Sequence, residues 1–298
     1  MTILITGATG FVGSALCHAL DLADYKMRRS NQRLSESDWA QSFVGVNTVV
    51  HLAARVHIMR DSAADPLAEF REVNVIGTLN LARQAAAAGV KRFVFLSSIK
   101  VNGEHTDIGS PFNAEQTPAP QDAYGISKHE AELGLHVIAA ETGMQVVIIR
   151  PPLIYGAGVK ANFASLLRAV RRGVPLPLGL ATHNRRSFVA IDNLLSLIIT
   201  CVHHPNAANQ TFLVSDNEDV STADLLLRMA VALGVPSRLI PVPLCVLNAG
   251  AKLLGKADVA QRLLGNLQVD ITKNKTLLGW QPPFTLQQGL KLTVNGKS

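Results

Sequence analysis

Aromatic residues make up only 5% of this 298-residue chain, charged residues 17%, and cysteine occurs three times. Each shortage removes a class of protein. Cys17, Cys201 and Cys245 are odd in number, far apart and never in a CxxC pair. That argues against a disulfide framework or a zinc site and fits a reducing cytoplasm. His203-His204 has no third ligand at metal spacing, so no metal is expected. Apolar runs such as Leu194 to Val202 fall well short of the roughly 18 residues that span a bilayer, and neither a membrane span nor a membrane partner is expected. The start Met1-Thr2-Ile3-Leu4-Ile5 lacks the basic segment of a secretory leader. Long basic runs are missing too. The 28 Lys and Arg against 22 acids give a net charge of +6, but they are scattered, and no aromatic residues interleave to stack bases. A small anionic ligand fits this balance better than nucleic acid.

What the chain has is apolar material, 48% of its residues, arranged in alternating patterns. Ile3 to Thr6, Thr48 to Ala53, Arg92 to Ser97 and Val146 to Arg150 read as buried strands. Helical patterns lie at Phe11 to Leu20, at Phe70 to Ala88 before Gly89, and at Ala123 to Glu141 before Gly143. This alternation predicts an α/β fold, a Rossmann-type doubly wound parallel sheet. After Arg150, prolines and glycines interrupt shorter elements: helices near Phe163 to Arg172, Asp192 to His203, Thr222 to Leu233 and Cys245 to Leu264, and a strand at Gln210 to Val214. The expected organisation is a dinucleotide-binding domain over residues 1–155 and a smaller, mostly helical substrate lobe over 156–298, with roughly 187–215 returning to the first domain.

The first strand runs into Thr6-Gly7-Ala8-Thr9-Gly10-Phe11-Val12-Gly13, and a helix follows. Glycines at this spacing allow a tight turn, the approach of a pyrophosphate to the helix N-terminus, and close helix–strand packing. Tyr124 and Lys128 are four apart on a predicted helix and so share one face. Ser97 and Ser98 end the strand before it. By itself the Tyr–Lys pair is an ordinary solvated face; beside the glycine motif it points to redox chemistry.

The chain resembles the extended short-chain dehydrogenase/reductases, specifically the NAD-dependent epimerase/dehydratase group. The resemblance rests on the glycine motif, His51-Leu52-Ala53-Ala54, Asn74-Val75-Ile76-Gly77-Thr78, Leu96-Ser97-Ser98, Tyr124 with Lys128, Arg150-Pro151, Tyr155-Gly156 and Leu278-Gly279-Trp280-Gln281-Pro282. The stretch from Leu96 to Glu104 is similar to a UDP-glucose 4-epimerase-like branch that includes UDP-sugar 4-keto reductases of the N-acetylquinovosamine pathway.

The resemblance implies hydride transfer at C4 of a UDP-linked hexose or N-acetylhexosamine, with Ser98, Tyr124 and Lys128 catalytic. Tyr124 would be the base or acid, and Lys128 would help a phenol of pKa about 10 to ionise. Gly7, Thr9, Gly10, Phe11, Val12, Gly13, Leu52, Ala53, Ala54, Asn74 and Pro151 would hold the cofactor together with Tyr124 and Lys128. Ser98, Tyr124, Asn162 and Arg186 would meet the substrate; Arg186 precedes a Ser187-to-Asp192 pattern, and a guanidinium suits diphosphate. Ser97 reads as a strand-end residue satisfying backbone groups. Ile99 and Lys100 stand where the 4,6-dehydratases carry an Asp-Glu pair, which argues against dehydration. Asn102 replaces a tyrosine of many epimerases, a departure bearing on the substrate. Trp280 is expected in the core. A homodimer through the Tyr124 and Phe70 to Ala88 helices is also implied. The alternative is a non-catalytic NAD(P)-binding redox sensor or scaffold.

Residues 14–47 depart from the pattern. A helix, a strand, a second helix and another strand would need roughly 45 residues, so an element must be lost, and Asp21 to Asp38 shows no clean apolar strand. The family reads the adenosine ribose here. No acid stands near Met27 to Arg33, while Arg28 and Arg29 do, so of NAD and NADP the latter is favoured, with Arg28 as a cofactor contact.

Overall fold

The computed structural model describes residues 1–30, 32–34, 38–56, 65–255 and 257–296. Within them are the strands β1 (Ile3–Thr6), β2 (Met27–Ser30), β3 (Thr48–His51), β4 (Arg92–Leu96), β5 (Gln145–Arg150), β6 (Leu153–Tyr155), β7 (Phe188–Ala190) and β8 (Thr211–Leu213). Six form one parallel sheet in the order β2-β1-β3-β4-β5-β8, and β6 pairs with β7. Thr6 of β1 lies between Ser30 of β2 and His51 of β3. The strand order therefore reverses at β1, the place where open α/β sheets bind ligands.

Alternate strand residues feed two cores. Ile3, Ile5, Val50 and Ile149 pack under α1 (Phe11–Leu22) and a helix over Ile191–His203; Leu4, Val49, Phe93 and Ile148 pack on the opposite face. That opposite face is covered by α2 (Pro66–Arg71), a π turn over Glu72–Gly77, α3 (Thr78–Ala87) and α4 (Ala123–Thr142). Each fully buried Leu, Ile, Val or Phe contributes about 1.5–3 kcal/mol. The remaining helices are α5 (Ala161–Arg171), α6 (Ile191–His203), α7 (Thr222–Leu233), α8 (Leu244–Leu253), α9 (Ala257–Leu264), α10 (Thr272–Leu278) and α11 (Leu286–Asn295). Tyr155, Phe163, Phe188, Leu226 and Leu290 form a third core under α5, α7 and α11. Trp280 is buried and its indole donates to Ser196 Oγ at 3.1 Å. Among the described residues no helix is long and apolar enough to cross a membrane.

Three expectations need correction. The helix placed at Phe70 to Ala88 starts at Pro66, because Asp65 caps it by accepting from Ala68 N at 3.1 Å, and it passes through the π turn. The single helix placed at Cys245 to Leu264 is two, α8 and α9, with Gly255 between them in the left-handed region (φ +63°) and Lys256 outside the described residues. In the short region β2 is present: an edge strand held by its backbone pairing to β1 needs no apolar run. The described residues between β2 and β3 hold a 3₁₀ turn, Ala40–Phe43, in place of a further helix and strand. Trp39, Phe43 and Val46 fill the space beside Leu4 and Leu81.

Candidate active site

Gly7 leaves β1 with φ +69°, and a Cβ there would lie 2.6 Å from Ala53 N. A Cβ on Gly13 would lie 2.1 Å from Gly7 O. Only glycine lets the exit of β1, the segment after β3 and the first turn of α1 meet this closely. Gly10 caps α1 without a side-chain hydrogen bond, which leaves the first N–H groups available to an anion. Thr9, Phe11 and Val12 belong to the same turn. This backbone cradle, which any Cβ would fill, fits a dinucleotide diphosphate.

Leu52, Ala53 and Ala54 continue from β3 along this edge, and Asn74 fixes the chain just beyond them. Its Nδ2 donates to Arg55 O at 3.0 Å and its Oδ1 accepts from Arg55 N at 2.8 Å. The same Nδ2 donates to Ser127 Oγ at 3.0 Å. Asn74 thus ties the β3 segment to α4, and the π turn that carries it is a distortion often found at functional sites. His51 bridges Thr6 Oγ1 at 2.6 Å and Thr78 Oγ1 at 2.9 Å. Burial, helped by Lys128, lowers its pKa to about 3, so it is neutral.

Asp122 caps α4 by accepting from Gly125 N at 2.7 Å, which sets Tyr124 and Lys128 on one face. Lys128 Nζ donates to Leu96 O at 2.9 Å, 4.4 Å from the Phe95 ring centroid and 6.0 Å from that of Tyr124. Burial lowers its pKa to about 7, against the opposing pull of Glu132. Burial also pushes the Tyr124 phenol above its ordinary value, and Asp122 adds to this. In this arrangement the Lys128 amine is held by the Leu96 carbonyl, on the side of α4 that also carries the Tyr124 ring.

A cleft of 620 Å³ opens over this edge, lined among others by Ser98, Tyr124, Pro151, Asn162 and Arg186. All five were singled out in the sequence. Ser98 Oγ faces the cleft and accepts from Lys100 N at 3.2 Å. Burial, and Arg262 beside it, lower the Arg186 pKa, while Glu104 opposes them. The cleft carries two guanidinium groups, Arg186 and Arg262. It also carries Lys100, which donates to Glu104 Oε1 at 2.9 Å and to Asp122 Oδ2. Burial works against the Lys100 charge, but the two carboxylates outweigh it and raise its pKa.

Sequence reasoning missed Arg262, which has no motif around it, and also Glu104 and Asp122, which close the Leu96-to-Glu104 stretch and precede Tyr124 but were given no role there. It also missed the group behind Lys128. Glu132, one turn further along α4, accepts from Arg150 Nε at 3.0 Å and Nη2 at 2.5 Å, and from Ser97 Oγ. Ser97 Oγ thus serves a carboxylate, where a backbone group was expected. Arg150 Nη1 donates to Asn102 Oδ1 at 3.0 Å, and Asn102 donates to Asn113 O. Asn102 is buried in this network and does not line the cleft, so its difference from tyrosine acts on the support and not on the substrate surface.

Arg28 does not join the site. Its Nη1 donates to Gln41 O at 3.2 Å and Ser42 O at 2.8 Å, closing the turn that replaces the missing helix. Arg29 pairs with Asp21 of α1. Ser30 ends β2.

Residues 3–215 match the NAD dependent epimerase/dehydratase family. The chain is 50% identical to a UDP-glucose 4-epimerase of Vibrio cholerae, over 98% of this chain and 94% of that one. It is 28% identical to an N-acetyl-alpha-D-glucosaminyl-diphospho-ditrans,octacis-undecaprenol 4-epimerase of Escherichia coli O157:H7, again over 98% and 94%. Among solved structures, the UDP-glucose 4-epimerase of Thermotoga maritima with UDP-glucose superposes with a TM-score of 0.79 at 22% identity, covering 99% and 98% of the two chains.

Proposed function

The chain belongs to the NAD-dependent epimerase/dehydratase family, and we propose that it moves a hydride at C4 of a UDP-linked hexose or N-acetylhexosamine, as a 4-epimerase or a 4-keto reductase. The observation that carries this reading is the convergence of Ser98, Tyr124, Asn162 and Arg186 on one cleft, with Lys128 buried behind Tyr124. A redox sensor would need none of these residues in one place.

The nicotinamide cofactor supplies the hydride acceptor and donor. Tyr124 holds the proton that the C4 oxygen takes up in reduction; in oxidation it accepts that proton, which Lys128 in its charged form favours. Ser98 donates a hydrogen bond to the same oxygen, and Asn74 keeps the Ser127 turn of α4 in register beneath it. Arg186 and Arg262 hold the diphosphate, and their charge is matched to it. Lys100, Glu104 and Asp122 together carry one net negative charge, which suits a neutral or amino sugar better than a uronate. Ser30, in the place of a ribose-binding acid, supports NADP over NAD; because Arg28 and Arg29 are engaged elsewhere, they add little to that preference.

Exposed Leu133 and Val137 on α4, with Ile76 on the neighbouring π turn, support a homodimer. Three free cysteines, two of them buried, support residence in a reducing cytoplasm. The test has two arms: UDP-galactose or UDP-N-acetylgalactosamine without added cofactor, and a UDP-4-keto-6-deoxy sugar with NADH or NADPH. Turnover in the first arm identifies an epimerase and in the second a reductase. No Tyr124-dependent turnover in either contradicts the reading.

A further inference from the structure

The turn after β4 sets Lys100 against both residues that would flank the sugar C4. Ser98 caps a 3₁₀ turn over Ile99–Val101 by accepting from Lys100 N at 3.2 Å. Ile99 packs in the first core, while the Lys100 side chain lines the cleft with Ser98. The Lys100 backbone also meets the turn that carries Tyr124, since a Cβ on Gly125 would lie 3.0 Å from Lys100 O. Asp122 caps α4 with one carboxylate oxygen, through Gly125 N, and takes the Lys100 ammonium on the other. Lys100 is thus tied to the elements that hold Ser98 and Tyr124.

An ammonium has three donors. Among the described residues Lys100 Nζ has two acceptors, Glu104 Oε1 at 2.9 Å and Asp122 Oδ2. All three side chains are partly buried and line the cleft, so one donor and spare carboxylate lone pairs remain for whatever fills it. A hydroxyl suits this set: its oxygen accepts from the ammonium and its hydrogen goes to a carboxylate. A carbonyl meets only the donor, and a methyl group meets neither. Ion pairs this exposed stabilise a fold little; beside Ser98 and Tyr124 the cluster is placed to act on a ligand.

Glu104 extends the cluster towards Arg186, whose charge it favours. A sugar that reaches from a diphosphate at C1 to Ser98 and Tyr124 at C4 therefore runs alongside Lys100. We propose that Lys100, held by Glu104 and Asp122, binds a hydroxyl on the sugar next to C4, the 3-hydroxyl or the hydroxymethyl at C5, and so sets which sugars the cleft accepts. This rests on the C4 reading and names a sugar contact within it. A sugar that lacks the hydroxyl leaves a desolvated donor without its acceptor, which discriminates more strongly than a difference of one methylene.

The experiment is titration calorimetry on the full-length Tyr124→Phe protein, which leaves the ligand unconverted, with and without Lys100→Met. The ligands are UDP-galactose, its 3-deoxy and 6-deoxy analogues, and UDP. Lys100→Met is expected to weaken UDP-galactose at least tenfold and to leave UDP within about twofold. It is also expected to leave unchanged the one analogue that lacks the contacted hydroxyl, and that analogue identifies the hydroxyl. Lys100→Gln, neutral but still a donor, is expected to recover part of the affinity, and it carries the same comparison if Lys100→Met does not fold. Weakening of both deoxy analogues as much as UDP-galactose overturns the proposal, because Lys100 then acts on the diphosphate or on the fold. So does an equal loss for UDP, or unchanged affinity for UDP-galactose. Turnover of UDP-galactose is followed separately with Tyr124 in place. Its absence beside a hydroxyl-selective loss counts against the C4 reading alone; uniform loss with turnover intact counts against the Lys100 contact alone. No binding of UDP-galactose at all removes both.

Discussion

Helices α4 and α8 invert each other. Helix α4 buries charge: Lys128 and Glu132 lie inside, with Arg150, Ser97 and Asn102 closing hydrogen bonds around the carboxylate. Helix α8 packs Leu244 and Leu247 partly buried on the third core but leaves Val246 and Leu253 exposed. Burying an ion is costly unless partners surround it, and exposing an apolar tip gains nothing by itself. The first departure falls beside the cleft, behind Tyr124. The charges inside α4 are held by partners within the chain, whereas Leu253 and Leu254 at the end of α8 stay exposed. A buried charge surrounded by its partners thus marks the site here more sharply than an exposed leucine does.

The sharpest way to break this comparison is Tyr124→Phe, which removes the proton carrier and keeps the ring. Turnover is expected to fall by about 10³-fold, with the melting temperature nearly unchanged; retention of activity would separate α4 from the chemistry. Glu132→Gln comes next. It strips the partner from buried Arg150 and is expected to cost about 3–5 kcal/mol in urea unfolding. It also removes the negative charge that supports protonated Lys128. Lys128 loses its charge as pH rises through about 7, so activity requiring that charge declines there, and in Glu132→Gln the decline moves to lower pH.

Histidine 51 offers a third test of the buried interior. Its folded pKa, about 3, is depressed below the ordinary 6.5. The unfolded chain therefore binds the proton first, and the stability contribution, present above about 6.5, is lost as pH falls towards 3. Between pH 7.5 and 5 about 2 kcal/mol is expected to go, visible in urea unfolding and absent in His51→Gln. In the cleft, Arg262→Ala is expected to raise KM for the UDP-sugar about tenfold, roughly 1.4 kcal/mol, with a smaller change in kcat. Smallest of all is the effect of Leu253→Asp on folding: urea unfolding should move by less than about 0.5 kcal/mol, as for any side chain that packs on nothing.

Legibility in the sequence followed the same division. The sheet's central strands were readable because two covered faces demand uninterrupted apolar runs, and the glycine cradle because its spacing is dictated by backbone clearance. Tyr124 and Lys128 were readable from helical spacing combined with that cradle. Edge strand β2 was not, since its side chains, Met27, Arg28, Arg29 and Ser30, make no apolar run and it is held by pairing to β1 and by contacts that no local pattern shows. Arg28 misled because a cation near the right strand says nothing about the carbonyls of Gln41 and Ser42 waiting across the turn. The Glu132–Arg150 pair joins residues 18 positions apart through a fold contact that no local pattern encodes. The break at Gly255 was hidden because α8 and α9 share one helical periodicity.

The central claim, hydride movement at sugar C4 within this cleft, is tested most directly with UDP-galactose deuterated at C4. Product is analysed by NMR, for the wild type and for Tyr124→Phe. An epimerase is expected to return the label to C4 of UDP-glucose with a primary isotope effect on turnover. If the 4-keto reductase alternative holds, the label instead enters C4 of a UDP-4-keto-6-deoxy sugar from cofactor deuterated at nicotinamide C4. Product that carries solvent hydrogen at C4, or label transfer that Tyr124→Phe leaves untouched, would contradict the account.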